Sequence, residues 1–142
     1  MKDSKITLTE IEDERKAYVI KEYPSGFLLL ADKQIVPVMC IFRAKIEVED
    51  ITDLTDEEYS NFARDFREAL IYIKSKLLQD KNFVRLNWDK LDNELKKLHM
   101  WIIPRYKWEG DELSMPLWTH NMKERWEKAK SPSEELIQSF KN

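Results

Sequence analysis

The stretch from Lys97 to Tyr106 constrains the fold of this chain more than any other segment. Apolar and polar side chains alternate along it, as they do in a β-strand that buries one face. Three apolar side chains would point to one side: Leu98, Met100 and Ile102. The other side would carry a cation, an imidazole and an indole: Lys97, His99 and Trp101. The pattern therefore predicts a half-buried strand at residues 97–104 that presents polar groups to a ligand.

Other segments carry strand and turn signals. The β-rich runs at residues 16–23, 27–31, 36–43 and 83–91 predict four further strands. The residues Pro-Ser-Gly at 24–26 predict the turn of a hairpin between the first two strands. Pro37 would stand near the start of the third strand, where a missing backbone donor is tolerated.

Two helices carry capping signals. Residues 55–58 (Thr-Asp-Glu-Glu) form a capping box that predicts a helix to about Leu78. Apolar residues then recur at helical spacing: Tyr59, Phe62, Ala63, Phe66, Leu70, Ile73 and Leu77. Residues 131–134 open a second, short helix. This order predicts an α+β domain around a five-stranded antiparallel sheet. Residues 1–142 would form one domain, with a core at about 16–118 and a helical extension at about 119–142.

Composition excludes several classes of function. The net charge of −3 provides no basic field to hold nucleic acid. Two glycines leave no glycine-rich phosphate loop, and two histidines with one cysteine give no zinc-site spacing, so neither a metal nor a cofactor is predicted. Cys40 lies in an apolar run and is expected to be buried. Without a signal-peptide pattern or a long apolar run, the chain is expected to be cytoplasmic, with no membrane partner.

The stretch at 97–106 resembles the active-site strand of the histidine triad superfamily of nucleotide hydrolases and transferases. That family carries His-apolar-His-apolar-His-apolar-apolar, often followed by Pro-Arg-Tyr. His99 stands at the middle histidine, and residues 104–106 are Pro-Arg-Tyr. Weaker matches follow the same order over roughly residues 18–118: residues 53–58, residues 87–89, Asn93 and residues 116–118. Their spacing agrees with the diadenosine-polyphosphate hydrolase subgroup, and the resemblance implies the fold of that family.

The resemblance also implies a chemistry. In the family the middle histidine attacks the α-phosphate of a nucleotide and forms a nucleotidyl-histidine, which water or another acceptor resolves. Imidazole suits this role because it is both nucleophile and leaving group at neutral pH. Carried over, the catalytic residue is His99, and the ligand-binding residues are Asn87, Asn93, Lys97 and Trp101. The implied partners are a nucleotide or a phosphorylated small molecule and, in a homodimer, a second copy of the chain.

Four departures from the family pattern count against hydrolysis. Lys97 and Trp101 replace the flanking histidines, and Glu47 and Glu94 stand where members carry a histidine and a hydroxyl. Each unpaired carboxylate would repel a polyphosphate by about 1 kcal/mol or more, although Glu94 and Lys97 could pair. Losing one transition-state donor costs roughly two to three powers of ten in rate.

These departures favour a nucleotide-binding protein with weak or absent nucleotidyl hydrolase activity through His99. Two alternatives stay open. The first is an active hydrolase or transferase acting on dinucleoside polyphosphates or nucleoside phosphoramidates. The second is a non-catalytic dimeric interaction protein.

The role of the aromatic residues is also left open by the sequence. Trp88, Trp101 and Trp108 either form a wall on which a base stacks or fill the space of the lost histidines. Base stacking on such a wall would contribute about 1–3 kcal/mol. His120 lies in a polar stretch and is expected to be solvated rather than catalytic. From the residues alone, without the resemblance, His99 would be an exposed histidine on an amphipathic strand.

Overall fold

The structure, a computed structural model, describes residues 11, 13–91, 96–118 and 121–141. The predictions for Asn93, Glu94 and His120 lie outside these residues. Within the described part, five strands form one antiparallel sheet in the order β1-β2-β3-β5-β4. The strands are β1 (Val19–Tyr23), β2 (Gly26–Leu30), β3 (Cys40–Ala44), β4 (Phe83–Asp89) and β5 (His99–Tyr106). The predicted α+β architecture with a five-stranded antiparallel sheet is confirmed.

Four α-helices accompany the sheet in the described residues: α1 (Asp13–Lys16), α2 (Asp56–Leu77), α3 (Met122–Lys128) and α4 (Glu134–Lys141). Short 3-10 segments lie at Ile51–Asp53 and Lys107–Ser114. The predicted capping box opens α2, because the Thr55 hydroxyl accepts from the amide of Glu58 and the Glu58 carboxylate accepts from the amide of Thr55. None of the helices seen in the described ranges is long and apolar enough to cross a membrane.

One face of the sheet packs against α2. The buried apolar side chains of the helix are Phe62, Phe66, Ala69, Ile73 and Leu77. They share a core with sheet residues that include Leu28, Phe42, Met100 and Ile102. The ring of Phe42 lies 5.4 Å from that of Phe62 and 5.9 Å from that of Phe66, centroid to centroid. Tyr59 was predicted on this face but is 49% exposed, because it lies one turn before Phe62, the first buried residue of α2.

Three predicted strands begin later than expected, and one of them is β5, which starts at His99 rather than at residue 97. Residues 13–16 are helical, so β1 starts at Val19 rather than at residue 16. Residues 36–39 form a turn rather than the start of β3, and Val38 has a φ of +70° within it. The side chain of Gln34 holds this turn: its Oε1 accepts from the amide of Val38 at 2.8 Å, and its Nε2 donates to the carbonyl of Met39 at 2.9 Å. Pro37 therefore lies in a turn that side-chain hydrogen bonds stabilise.

The predicted hairpin between β1 and β2 is present and is tied to α2. The amide and the hydroxyl of Ser25 donate to Oδ2 of the buried Asp65, at 2.9 and 2.6 Å. Gly26 lies against β3, where a Cβ atom would come within 2.6 Å of the Phe42 ring and 2.8 Å of the Arg43 carbonyl oxygen. A side chain at position 26 would therefore displace β3, which carries part of the site described below.

The C-terminal helices lie on different sides of the sheet. Helix α4 joins the α2 side, where Ile137 and Phe140 are buried in the same core. The Tyr72 hydroxyl donates to the carbonyl of Phe140, which ties α4 to α2. Helix α3 lies over the opposite face of the sheet, with its side chains beside those of β5. Lys130 lies between α3 and α4, and its carbonyl accepts from the backbone amide of Gln34 at 2.9 Å. This hydrogen bond holds the segment that passes from one side of the sheet to the other.

Candidate functional site

The sheet face opposite α2 carries the candidate site. His99 pairs with Arg43 across β3 and β5, and Trp101 pairs with Ile41 on β3 and with Asp89 on β4. Paired residues of antiparallel strands point to the same face, so these side chains project together. The alternation predicted for this strand is confirmed, since three residues of the stretch are buried in the α2 core: Leu98, Met100 and Ile102.

Above these strands lies a cleft of about 440 Å³. The strands β2, β3 and β5 form its floor, and α1, α3 and the segment after β5 form its walls. The polar and aromatic residues that line it are Arg15, Asp32, Arg43, His99, Trp101, Trp118, Lys123, Trp126 and Glu127. Both its size and its mainly apolar lining with a few polar groups are typical of small-molecule sites.

His99 is buried and oriented. It is 5% exposed, so the interpretation from the residues alone, an exposed histidine, is wrong. Its Nδ1 lies 2.6 Å from the carbonyl oxygen of Lys97. Because a carbonyl oxygen only accepts, Nδ1 carries the proton, and in the neutral ring Nε2 holds the lone pair. This tautomer is the one in which Nε2 is the nucleophilic nitrogen.

The side chain of Lys97 points elsewhere. Its Nζ binds Oε1 of Glu47 at 2.9 Å, and the same oxygen lies 4.0 Å from Nη2 of Arg43. Among the residues that line the cleft, β3 contributes Arg43, whereas Lys97 is absent from the lining. Lys97 therefore acts on the site through its backbone carbonyl, and Glu47 is engaged in ion pairs.

Three tryptophans form one wall of the cleft, here called the tryptophan cluster: Trp101, Trp118 and Trp126. The Trp101 ring lies edge-on to both others, with centroids at 5.1 Å from Trp118 and 6.5 Å from Trp126. It also lies 6.3 Å from the His99 ring. Such edge-to-face pairs hold aromatic rings in a defined orientation. The cluster therefore presents an oriented aromatic surface beside His99.

One of the two interpretations of the tryptophans grouped Trp101 with Trp88 and Trp108, and the structure places both of these elsewhere. Trp88 lies on the α2 side against Phe66, and Trp108 stacks on Tyr106, each being 55% exposed. The sequence contained one signal for Trp126, since Met122 and Trp126 stand four residues apart and share a face of α3. Nothing local indicated that this face would cover β5.

Asn87, predicted as a ligand contact, holds a buried arginine. Its Oδ1 accepts from Nη1 of Arg105 at 2.9 Å, and it does not line the cleft that contains His99. Arg105 is 1% exposed and also binds the Glu109 carboxylate in a bidentate pair, with nitrogen–oxygen distances of 3.0 and 2.9 Å. In this structure Asn87 therefore belongs to the support of β5 and the segment that follows it.

No protein-family model matches the sequence, and no curated protein matches it either. Solved structures do match. A histidine triad protein from Sinorhizobium meliloti 1021 has a TM-score of 0.72 at 15% identity, over 99% of this chain and 95% of the other. A HIT family protein from Bacillus anthracis has a TM-score of 0.59 at 20% identity, over 97% and 92%. A hypothetical histidine triad nucleotide-binding protein from Sulfolobus tokodaii has a TM-score of 0.60 at 17% identity, over 87% and 78%. The chain has the histidine triad fold.

The cleft of this histidine triad fold is lined by side chains of both charges. Of the described residues that line it, three are cations, Arg15, Arg43 and Lys123, and two are carboxylates, Asp32 and Glu127. No three His, Cys, Asp or Glu side chains within the described ranges are grouped so that they could hold a metal ion. The arrangement provides a modest excess of positive charge next to an imidazole and an aromatic wall.

Asp89 lies behind the tryptophan cluster. Its Oδ2 accepts from the indole N–H of Trp118 at 2.8 Å, whereas its buried Oδ1 meets no hydrogen-bond donor among the described residues. Burial raises the pKa of the Asp89 carboxyl above its ordinary value, against the smaller opposing effects of the Trp118 hydrogen bond and of His99. Protonation of Asp89 therefore stabilises the fold.

The substitution Asp89→Asn is expected to raise the melting temperature at pH 7, because a neutral amide is less costly to bury and its oxygen still accepts from Trp118. The wild type recovers this stability as the pH falls through the raised pKa of Asp89, and the recovery is complete below the ordinary value of 3.8. The difference in melting temperature should therefore vanish in acid. Thermal denaturation at several pH values between 3 and 8 measures it. A difference that does not change with pH would contradict this account of Asp89.

Proposed function

We propose that this chain binds a nucleotide, or a similarly phosphorylated small molecule, in the cleft, and that His99 supports nucleotidyl transfer weakly or not at all. One observation carries the proposal: a buried histidine with an oriented ring lies beside the tryptophan cluster in a cleft that also contains three of the described cations. Aromatic surfaces stack bases, and cations bind phosphate. The fold shared with a protein described as nucleotide-binding supports the same conclusion.

The geometry of His99 suits nucleophilic attack. Nε2 would form a bond to the α-phosphorus while the bond to the leaving group breaks, and that group, a phosphate oxygen of diadenosine tetraphosphate or the amine nitrogen of adenosine phosphoramidate, leaves with the electron pair. Water would then attack the phosphorus and lose a proton to solvent, and the bond to Nε2 would break with its electron pair returning to the ring. The hydrogen bond from Nδ1 to the carbonyl of Lys97 stabilises the positive ring that forms in the first step.

Weak turnover follows from what surrounds His99. At the position of one flanking histidine of the family, the side chain of Lys97 binds Glu47. At the other, Trp101 packs in the tryptophan cluster and offers at most one N–H. The two flanking positions therefore lack preorganised hydrogen-bond donors for the charge that develops on the phosphate. The loss of each such donor lowers the rate by about two to three powers of ten.

Calorimetry with AMP, GMP, CMP and UMP tests binding, and hydrolysis of adenosine phosphoramidate and diadenosine tetraphosphate tests turnover. We expect measurable affinity for at least one nucleotide and turnover close to background. Rapid turnover would favour the active hydrolase or transferase instead. If none of these nucleotides binds, a non-catalytic interaction protein becomes the better explanation.

The homodimer stays a prediction of the family resemblance.

Removing Trp126 should weaken nucleotide binding without harming the fold. The Trp126 side chain is partly exposed, comes from the short helix α3, and contributes one ring to the wall of the cleft. We expect Trp126→Ala to raise the Kd for the preferred nucleotide roughly 5- to 150-fold, which corresponds to about 1–3 kcal/mol of stacking. The control is Trp108→Ala, which removes an exposed indole that stacks on Tyr106 outside the cleft. Equal losses in the two variants would contradict a role for the cluster in base binding.

A further inference from the structure

Arg43 and His99 occupy opposite positions on neighbouring strands. Their Cα atoms are partners in the β3–β5 register, so the two side chains leave the sheet on the same face. Both line the cleft, and they are 4% and 5% exposed. Directly opposite side chains of an antiparallel pair have Cβ atoms about 4.5–5.5 Å apart. A group bonded to His99 Nε2 would therefore lie within reach of the Arg43 guanidinium.

The backbone of Arg43 packs against β2, and its side chain lies near a carboxylate. Gly26 lets β2 lie close against β3 at this point, with the Arg43 carbonyl inside the space that a side chain at position 26 would need. Oε1 of Glu47 lies 4.0 Å from Nη2 of Arg43, and the same oxygen binds Lys97 at 2.9 Å. Glu47 is therefore shared between two cations, and only one of them, Arg43, lines the cleft.

A guanidinium is suited to phosphate because its planar array of N–H donors matches two phosphate oxygens at once, which a lysine ammonium cannot do. We propose that Arg43 binds the phosphate group that faces His99, and that the cleft selects ligands with a single phosphate group, such as nucleoside monophosphates. This inference rests on the proposed function and assigns the phosphate contact to β3, whereas the family resemblance assigned it to Lys97.

The charge of the cleft supports a single phosphate. Among the described lining residues, the three cations outnumber the two carboxylates by one, and a phosphate monoester carries a charge of about −1.5 to −2 at pH 7. A dinucleoside polyphosphate would bring several further negative charges into a cleft that also contains Asp32 and Glu127. Those carboxylates would repel the additional phosphates, so the balance favours a monophosphate.

The test compares each nucleoside monophosphate with its own nucleoside. For AMP, GMP, CMP and UMP, calorimetry gives the ratio of nucleoside Kd to nucleotide Kd, which isolates the contribution of the phosphate. We expect Arg43→Gln to reduce this ratio about 10- to 100-fold for the preferred base, the loss typical of a hydrogen-bonded ionic contact. The affinity of the variant for the nucleoside should stay unchanged. A variant that still binds the nucleoside is also shown to be folded. The matched control is Arg67→Gln, which removes an exposed arginine from α2 on the other side of the sheet.

Because Arg43 is buried, Arg43→Gln could fail to fold, and Arg43→Lys then provides the test. It keeps the charge but loses the planar donors, and it should keep part of the phosphate contribution. An unchanged ratio in a folded Arg43 variant overturns the inference while the proposed function stands. Wild-type protein that binds diadenosine tetraphosphate more tightly than AMP overturns the selection for one phosphate. If wild-type protein binds no nucleotide better than its nucleoside, both the inference and the proposed function fail.

Discussion

Replacing Arg105 with alanine is expected to lower the free energy of unfolding by about 3–5 kcal/mol. Its guanidinium is almost fully buried and binds the Glu109 carboxylate, the Asn87 side chain and the carbonyls of Glu112 and Met115. The Glu109 side chain is only 2% exposed. Without Arg105 it would be a buried charge that lacks its cation, and that desolvation cost accounts for most of the expected loss. Urea denaturation at pH 7 measures it.

A second variant separates the pair from the rest of the network. If the orphaned carboxylate causes the loss, Arg105→Ala combined with Glu109→Ala should be more stable than Arg105→Ala alone. The control is Arg85→Ala, since Arg85 is an exposed arginine on β4 beside Arg105, and a change within about 0.5 kcal/mol is expected there. A loss below about 1 kcal/mol in Arg105→Ala would show that the buried pair does not stabilise the fold.

Any nucleotidyl transfer by this chain is expected to disappear in His99→Ala. Removing a nucleophile typically lowers kcat by several powers of ten, so whatever rate the wild type has with adenosine phosphoramidate should fall to background. His99 is the only described histidine, and the hydrogen bond of its Nδ1 leaves the lone pair of the neutral ring on Nε2, the nucleophilic nitrogen. Intact-mass spectrometry at neutral pH should detect a nucleotidyl adduct in the wild type, if transfer occurs, and none in the variant.

The variant His99→Asn is the matched control for packing. Its side-chain amide can still donate to the carbonyl of Lys97 but cannot form a phosphoramidate of comparable reactivity. It should therefore retain nucleotide affinity and lose transfer, whereas His99→Ala also opens space beside Trp101. Turnover that survives in both variants would place the chemistry on another residue and refute the assignment of His99.

Local periodicity predicted most of the fold. Side chains that alternate with period two placed Leu98, Met100 and Ile102 in the core, because a strand sends neighbouring residues to opposite faces wherever it lies in the sheet. The capping box at Thr55 and Glu58 placed the start of α2 for a similar reason: the hydrogen bonds involved join residues three positions apart. Where local signals were mixed, the prediction failed, as at residues 36–39, which turn because Gln34 binds their backbone.

The strand that carries His99 and the face on which its side chain lies could be predicted from the sequence, because both depend on neighbours in the chain. The residues that surround His99 could not be predicted in this way. Arg43 is paired with His99 from another strand 56 positions earlier, and Trp126 comes from a helix that lies over the sheet later in the chain. Lys97 lies two residues from His99, yet its side chain binds Glu47, fifty residues away. These contacts depend on how strands pair and how α3 is held over them, and no periodicity in a single segment encodes that packing.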